Sequence, residues 1–211
     1  HAPGRGKYGD EVQKSLDFVL SNARPTGLLN ISHAQRDMYN HGLATFVLGQ
    51  THGMTTSRDQ RLNAILDRAL RLIALTQCDD GGWDYQARRS ARGHDLSLAV
   101  MQAKALRSAM DSGLDVSTEV VDKAIRSVRE HYAPRGARRD ARESEMRELP
   151  GQFTYSKGGG GTTIAMAAAG VVCLQEFGQY DDWRIPKNME VIGAAIDELP
   201  PPKTRNGTMP F

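Results

Sequence analysis

The stretch Arg68-Ala69-x2-Leu72-Ile73-x3-Gln77-x3-Gly81-Gly82-Trp83 recurs along this chain, and that recurrence limits the possible folds more than any other feature. An earlier copy reads Lys14-Ser15-x2-Phe18-Val19-x3-Ala23-x3-Gly27-Leu28-Leu29. A later one reads Lys123-Ala124-x2-Ser127-Val128-x3-Tyr132, followed by an insertion and then Gly151-Gln152-Phe153. A fourth begins Lys187-Asn188-x2-Val191-Ile192-x3-Ile196. The starts at Lys14, Arg68, Lys123 and Lys187 lie 54, 55 and 64 residues apart. A period that long holds two helices, so the chain is expected to stack helical hairpins. Each hairpin needs neighbours to bury its apolar faces.

Helical spacing of apolar residues fills in the pairs. Val12, Leu16, Val19 and Leu20 predict a first helix over 10–22, stopped by Pro25 and Gly27, and a second over 34–52 with Gly53 as its C-terminal cap. The second hairpin pairs 59–76 with 95–111, ended by Gly113. Ser117 is placed as the cap of a helix over 119–131, whose apolar face carries Val120, Val121, Ala124, Ile125 and Val128. Its partner, over 162–177, is poor in bulk, as are the stretches around Gly42, Ala44 and Gly49 and around Ala99, Ala103 and Ala105. Small residues allow close helix approach and suit an inner set of helices flanked by an outer one. The segment 133–150, with Arg135, Arg138, Arg139, Arg142 and Arg147 among several Glu, reads as a charged, solvated loop, or more sharply as a site for an acidic partner.

With 39% hydrophobic and 25% charged residues, the 211-residue chain has the makeup of a globular domain. A net charge of +2 without a dense Lys/Arg run argues against nucleic acid. The longest apolar run, Ile164 to Leu174, falls far short of the roughly 20 residues that span a bilayer. Cys78 and Cys173 lack the Cys-x2-Cys spacing of a structural zinc site, so both are expected to pack and no metal or cofactor is implied. The start at His1-Ala2-Pro3-Gly4 and the polar tail after Pro200-Pro201-Pro202 suggest part of a longer protein.

The Arg68 to Trp83 stretch resembles, at every position but Leu72, the QW repeat of squalene and other triterpene cyclases, whose relatives include the β-subunits of protein prenyltransferases. It is most similar to bacterial prenyltransferase/squalene oxidase repeat proteins, through Met38-Tyr39-Asn40-His41-Gly42, Asp80-Gly81-Gly82-Trp83-Asp84-Tyr85-Gln86 and Asp95-Leu96-Ser97. The resemblance implies an all-α fold, a partial α/α toroid of stacked helical hairpins with four outer and three inner helices. It covers about Asp10 to Ile196, within one expected domain over 1–211 whose repeats lie at about 10–53, 59–113, 117–182 and 186–199. Within the motif, Gln77 is expected to bond backbone groups left unpaired at the outer helix end, with Trp83 stacked over it and Gly81 in the turn. Leu29 and Phe153 fill the Trp83 position in other copies and suit packing equally.

Fold does not carry chemistry, so each catalytic signature of that family has to stand in this sequence in its own residues. Cyclases that protonate an alkene use an Asp-x-Asp-Asp cluster, whereas the paired acids here are Asp79-Asp80 and Asp181-Asp182. Prenyltransferases hold zinc through an Asp-x-Cys, but Thr76 and Val171 stand two residues before the cysteines. Asp79-Asp80-Gly81-Gly82-Trp83 puts Trp where a magnesium-binding run needs a third carboxylate. Gly158 to Gly161 lacks the Gly-Lys-Ser/Thr of a phosphate loop and reads as a flexible approach to a helix.

One constellation remains. Fourteen residues after the repeat glycines Gly27 and Gly81 stand His41 and Asp95, and thirteen after them Asn40 and His94. With Thr163 in the third copy, these residues are expected at inner-helix starts facing a central cavity, with Tyr85 and Tyr155 lining the same region. A His41–Asp95 pair could do acid/base work, while helix capping by Asp95 and a hydrogen-bonded structural His41 is the plainer reading. The expected function is non-catalytic binding of an apolar small molecule, a peptide or a protein partner, including the remaining part of the toroid. The alternative is an isoprenoid cyclase or prenyltransferase-like enzyme whose catalytic residues lie outside this segment.

Overall fold

Apolar residues at helical spacing build eight α-helices in the computed structural model, which describes residues 1–54, 60–138 and 140–199. The sequence readings at Asp59, Arg139 and 200–211 lie outside the described residues. The helices are α1 (Gly9–Ser21), α2 (Asp37–His52), α3 (Gln60–Thr76), α4 (Leu96–Asp111), α5 (Thr118–Arg129), α6 (Glu143–Glu148), α7 (Ile164–Glu176) and α8 (Arg184–Asp197). A single 3-10 turn, Ala34–Arg36, precedes α2. None of these helices is long and apolar enough to cross a membrane.

Helices α2, α4 and α7 form a row, α2 packing along α4 and α4 along α7. Small residues set their spacing. A Cβ added to Gly42 would lie 2.8 Å from the Cβ of Met101 and one added to Gly49 2.4 Å from Ser108 Oγ, both across α2 and α4; one added to Gly170 of α7 would lie 2.1 Å from the Phe153 ring, which sits outside the row. Against this row pack the more amphipathic helices. α3 buries Leu62, Ile65, Leu66, Ala69 and Ile73 against α2 and α4, and α5 buries Val120, Ala124, Ile125 and Val128 against α4 and α7. α8 packs on α7, and α1 on α3.

The repeated motif does the same mechanical work twice. Gly27 and Gly81 have φ of +91° and +82°, and a Cβ there would meet the carbonyl oxygen of Arg68 at 2.5 Å and of Lys123 at 2.2 Å. Each turn therefore rests directly on the backbone of the next copy's first residue. Gln77 Nε2 donates to the carbonyls of Gly81 (3.1 Å) and Val120 (3.0 Å), tying the α3 end to α5. Trp83, 1% exposed, donates from Nε1 to the Ile73 carbonyl at 2.9 Å. That carbonyl belongs to the last turn of α3, where helix geometry leaves acceptors unpaired.

The chain is mostly helical rather than wholly so. Strands β1 (Tyr132–Pro134), β2 (Gly151–Ser156) and β3 (Gly160–Thr162) form an antiparallel sheet in that order, with Tyr132 opposite Phe153 and Thr154 opposite Thr162. The segment read as a plain charged loop thus starts in β1, carries α6 and leads into β2. It is pinned to the start of α8 by the Trp183 indole donating to Glu143 (2.7 Å) and by Lys187 donating to the Leu149 carbonyl (3.0 Å). Gly158 to Gly161 turns the β2–β3 hairpin and supplies the first residues of β3, so it does not open directly into a helix. Two caps also differ in detail: Ser117 precedes α5 without a side-chain capping bond, and Gly53 follows α2 at a right-handed φ of −68°.

Candidate functional site

Asp95 and Thr163 are the N-caps of α4 and α7, each accepting from the backbone three residues on: Leu98 N–H at 3.2 Å and Met166 N–H at 3.1 Å. His41 occupies a different kind of place. α2 begins at Asp37, so His41 sits more than a full turn inside it, with no exposed surface. The row helix starts 10 residues after Gly27 (37 − 27) but 15 after Gly81 (96 − 81), and a fixed count of fourteen therefore lands on different turns. His41 Nδ1 accepts from Leu29 N–H (3.1 Å), and Nε2 faces the Ala69 carbonyl (3.0 Å). Those partners assign the proton to Nε2. Burial pushes the ring pKa down to about 4. His41 shares no hydrogen bond with Asp95; its Nδ1 ties the turn of the first copy to α2, and its Nε2 ties α2 to the second copy.

Around Asp95 the structure assembles a hydroxyl network. Asp95 is 5% exposed and accepts through one oxygen from Tyr85 and through the other from Ser97. Tyr39 meets Ser97, and Tyr155 meets Tyr85 at 2.6 Å. A hydroxyl has one hydrogen to give. Because Tyr85 and Ser97 spend theirs on the carboxylate, Tyr155 must donate to Tyr85 and Tyr39 to Ser97. Burial, then the bond to Asp95, raises the Tyr85 phenol far above its ordinary value, and burial also raises Tyr39. Both remain protonated donors. The Tyr85 ring lies 6.2 Å from Tyr39, nearly parallel, and 4.7 Å from His94.

Of the residues singled out from sequence, Asp95, Tyr85, Tyr155 and His94 thus converge, while His41, Asn40 and Thr163 do not join them. Asn40 donates to Asn30 at 2.8 Å and lines a separate apolar groove of about 340 Å³ between α1 and α2, beside Phe18, Ile31, Leu43 and Val47. Thr163 is an exposed cap. Tyr39 and Ser97 were missed, although both fall inside the short stretches that carried the family resemblance.

The flank of the network is charged. His94 stands 3.6 Å from Asp84, which also pairs with Arg88 at 2.9 Å. Lys157, at the β2–β3 turn, pairs with Asp80 (2.8 Å) and Glu130 (3.0 Å) and donates to the Asp80 carbonyl (3.1 Å). Burial alone would raise the Asp80 carboxyl, but Lys157 and the N–H groups of Gly93 and Gly82 outweigh it and hold it below the usual carboxylate range. A cleft of about 550 Å³ opens here, lined by Asp80, Arg92, His94, Glu130, Ser156 and Lys157. Among the described residues no three His, Cys, Asp or Glu side chains gather as a metal ion would require. No family model, no curated protein and no solved structure matches the chain.

Proposed function

We propose that the chain is an arc of an α/α toroid of the terpenoid cyclase and protein prenyltransferase type, which binds a ligand beside Asp95 without itself carrying out chemistry. The arc reading is supported by the α2–α4–α7 row and by the two glycine turns, each resting on the next copy. The binding reading rests on one observation: a buried carboxylate gathers four hydroxyls whose outermost member, Tyr155, is 41% exposed. With its hydrogen given to Tyr85, the Tyr155 oxygen offers lone pairs outward, and the tyrosine and His94 rings offer apolar surface beside it. A ligand with an apolar body and one N–H or O–H end fits that chemistry. Asp95 is committed to a helix cap and two hydroxyls, so an acid for alkene protonation would have to come from elsewhere in the cyclase alternative.

The test is a thermal-shift screen of terpenoid alcohols, fatty amides and short apolar peptides, followed by calorimetry on wild type, Tyr85→Phe and Tyr155→Phe. A compound of this kind is expected to raise the melting temperature and to lose about tenfold in affinity in Tyr155→Phe, the worth of one hydrogen bond. Binding that ignores both substitutions, or a screen in which none of these classes stabilises the chain, counts against the reading.

A further inference from the structure

We propose that the tip of the β2–β3 hairpin is a lid over the Asp95 network, latched shut by Lys157. This rests on the reading of that network as the binding site. The root of the hairpin is fixed: Phe153 has no exposed surface and donates from its N–H to Asn188 Oδ1 (3.0 Å), and Thr154 donates to the His131 carbonyl from both N–H and hydroxyl (2.8 Å each). Beyond Thr154 the character changes. Tyr155 is exposed, as are Gly158 to Thr162. The tip meets the 80–95 segment through Tyr155 on Tyr85 and through Lys157 on Asp80, with Glu130 also holding Lys157.

Glycine at this tip serves the backbone and not packing. Gly158 and Gly159 have φ of +83° and +105°, and a Cβ added to either meets nothing within 4 Å. Gly27 and Gly81 also have positive φ, but there a Cβ would in addition find no room. Gly158 and Gly159 let the apex bend at small cost, while Gly160 and Gly161 belong to β3, which pairs with β2 and moves with Tyr155. The contacts that oppose the swing are one phenol–phenol bond, the Lys157 bond to the Asp80 carbonyl, the Lys157–Asp80 pair with side chains 22% and 17% exposed, and the Lys157–Glu130 pair, in which Glu130 is 60% exposed and which salt weakens. Opening would lift Tyr155 off Tyr85, widen the cleft at Asp80 and His94, and leave the sheet root and α7 in place.

Hydrogen exchange of the whole chain, read by mass spectrometry without ligand, tests the lid in wild type, Lys157→Met and Lys157→Arg. Lys157→Met is expected to speed exchange over 155–162 by about tenfold, while 151–154 and α4 stay within about twofold. Lys157→Arg is expected to restore the slow rate. Nitration of Tyr85 by tetranitromethane, mapped by peptide mass, is expected to rise with the tip's exchange. An unchanged tip, a rise shared equally by α4 and α7, or a faster tip with unchanged Tyr85 nitration would each overturn the proposal. Neither readout uses a ligand, so the lid can fail while the binding reading stands, and the reverse.

Discussion

Acid is expected to weaken this fold through His41, and replacing His41 is expected to remove that weakness. In the folded chain the ring is neutral, with Nδ1 turned to an N–H donor and Nε2 to a carbonyl. Protonating Nδ1 would set two N–H groups against each other in a site that water does not reach. The unfolded chain has no such obstacle and takes up the proton near the ordinary value of 6.5, whereas the folded ring resists until about pH 4. Between those values only the unfolded state binds the proton, so the stabilisation is full above pH 6.5, falls as the pH drops toward 4, and changes no further below that. At about 1.4 kcal/mol per pH unit over that span, His41 contributes roughly 3 kcal/mol. Burial, followed by Lys157, also lowers the His131 pKa, so its contribution is lost from the same starting pH and the comparison must be between variants. Urea unfolding of wild type and His41→Gln at several pH values from 7.5 to 4.5 supplies it. The difference in unfolding free energy between the two proteins should shrink by roughly 3 kcal/mol on acidification. Parallel profiles would mean that the ring is accessible or already charged, and the argument from its two backbone partners would fail.

Trp83→Ala is expected to cost about 3–5 kcal/mol in urea unfolding and Trp83→Phe about 1–3, because the phenyl ring packs but leaves the Ile73 carbonyl only the longer bond from the Thr76 hydroxyl (3.4 Å); equal midpoints for all three proteins would place Trp83 at the surface. Gly81→Ala is expected to exceed Gly158→Ala in cost by about 1–3 kcal/mol, since both need positive φ but only the first meets a carbonyl at 2.2 Å. Similar losses in the two would deny the tight turn. Asp95→Ala is expected to cost about 2 kcal/mol, from the lost cap and the orphaned hydroxyls, and Asp95→Asn less because an amide oxygen still accepts. Equal losses in calorimetric unfolding would show that the charge of Asp95, which both substitutions remove, and not its acceptor geometry, carries the effect.

The helices could be read from sequence because their burial is periodic: Leu62, Ile65, Leu66, Ala69 and Ile73 announce one face of α3 before any neighbour is known. The sheet was not legible. Tyr132-Ala133-Pro134 is three residues long, and 151–156 had been absorbed into the repeat register as its turn. At the site, Asp95 caps α4, Tyr85 donates to it and Tyr155 meets Tyr85. His41 fell out of register because the connection before α2 is five residues shorter than that before α4, by the helix starts (15 − 10). The join between Tyr39 and Ser97 spans 58 residues and depends on how α2 lies against α4, which no local pattern encodes.

The glycine turns make the pitch of the stack a matter of main chain. Because what Gly27 and Gly81 rest on is the carbonyl of Arg68 and of Lys123, with only the Cβ of Arg68 beside the first, the seat stays the same whatever L-residue with a Cβ occupies it. Copies can then drift in sequence at the seat without altering the step from one hairpin to the next, and in this chain they have, from Arg to Lys. The third junction is built otherwise: Gly151 abuts Ala133 and Pro134 in β1, and Lys187 reaches across to the Leu149 carbonyl with its side chain. A step set by a lysine and a small sheet can be adjusted by substitution. Angular change between hairpins, in evolution or in design, is therefore easiest to introduce between α7 and α8 and hardest at the first two joints.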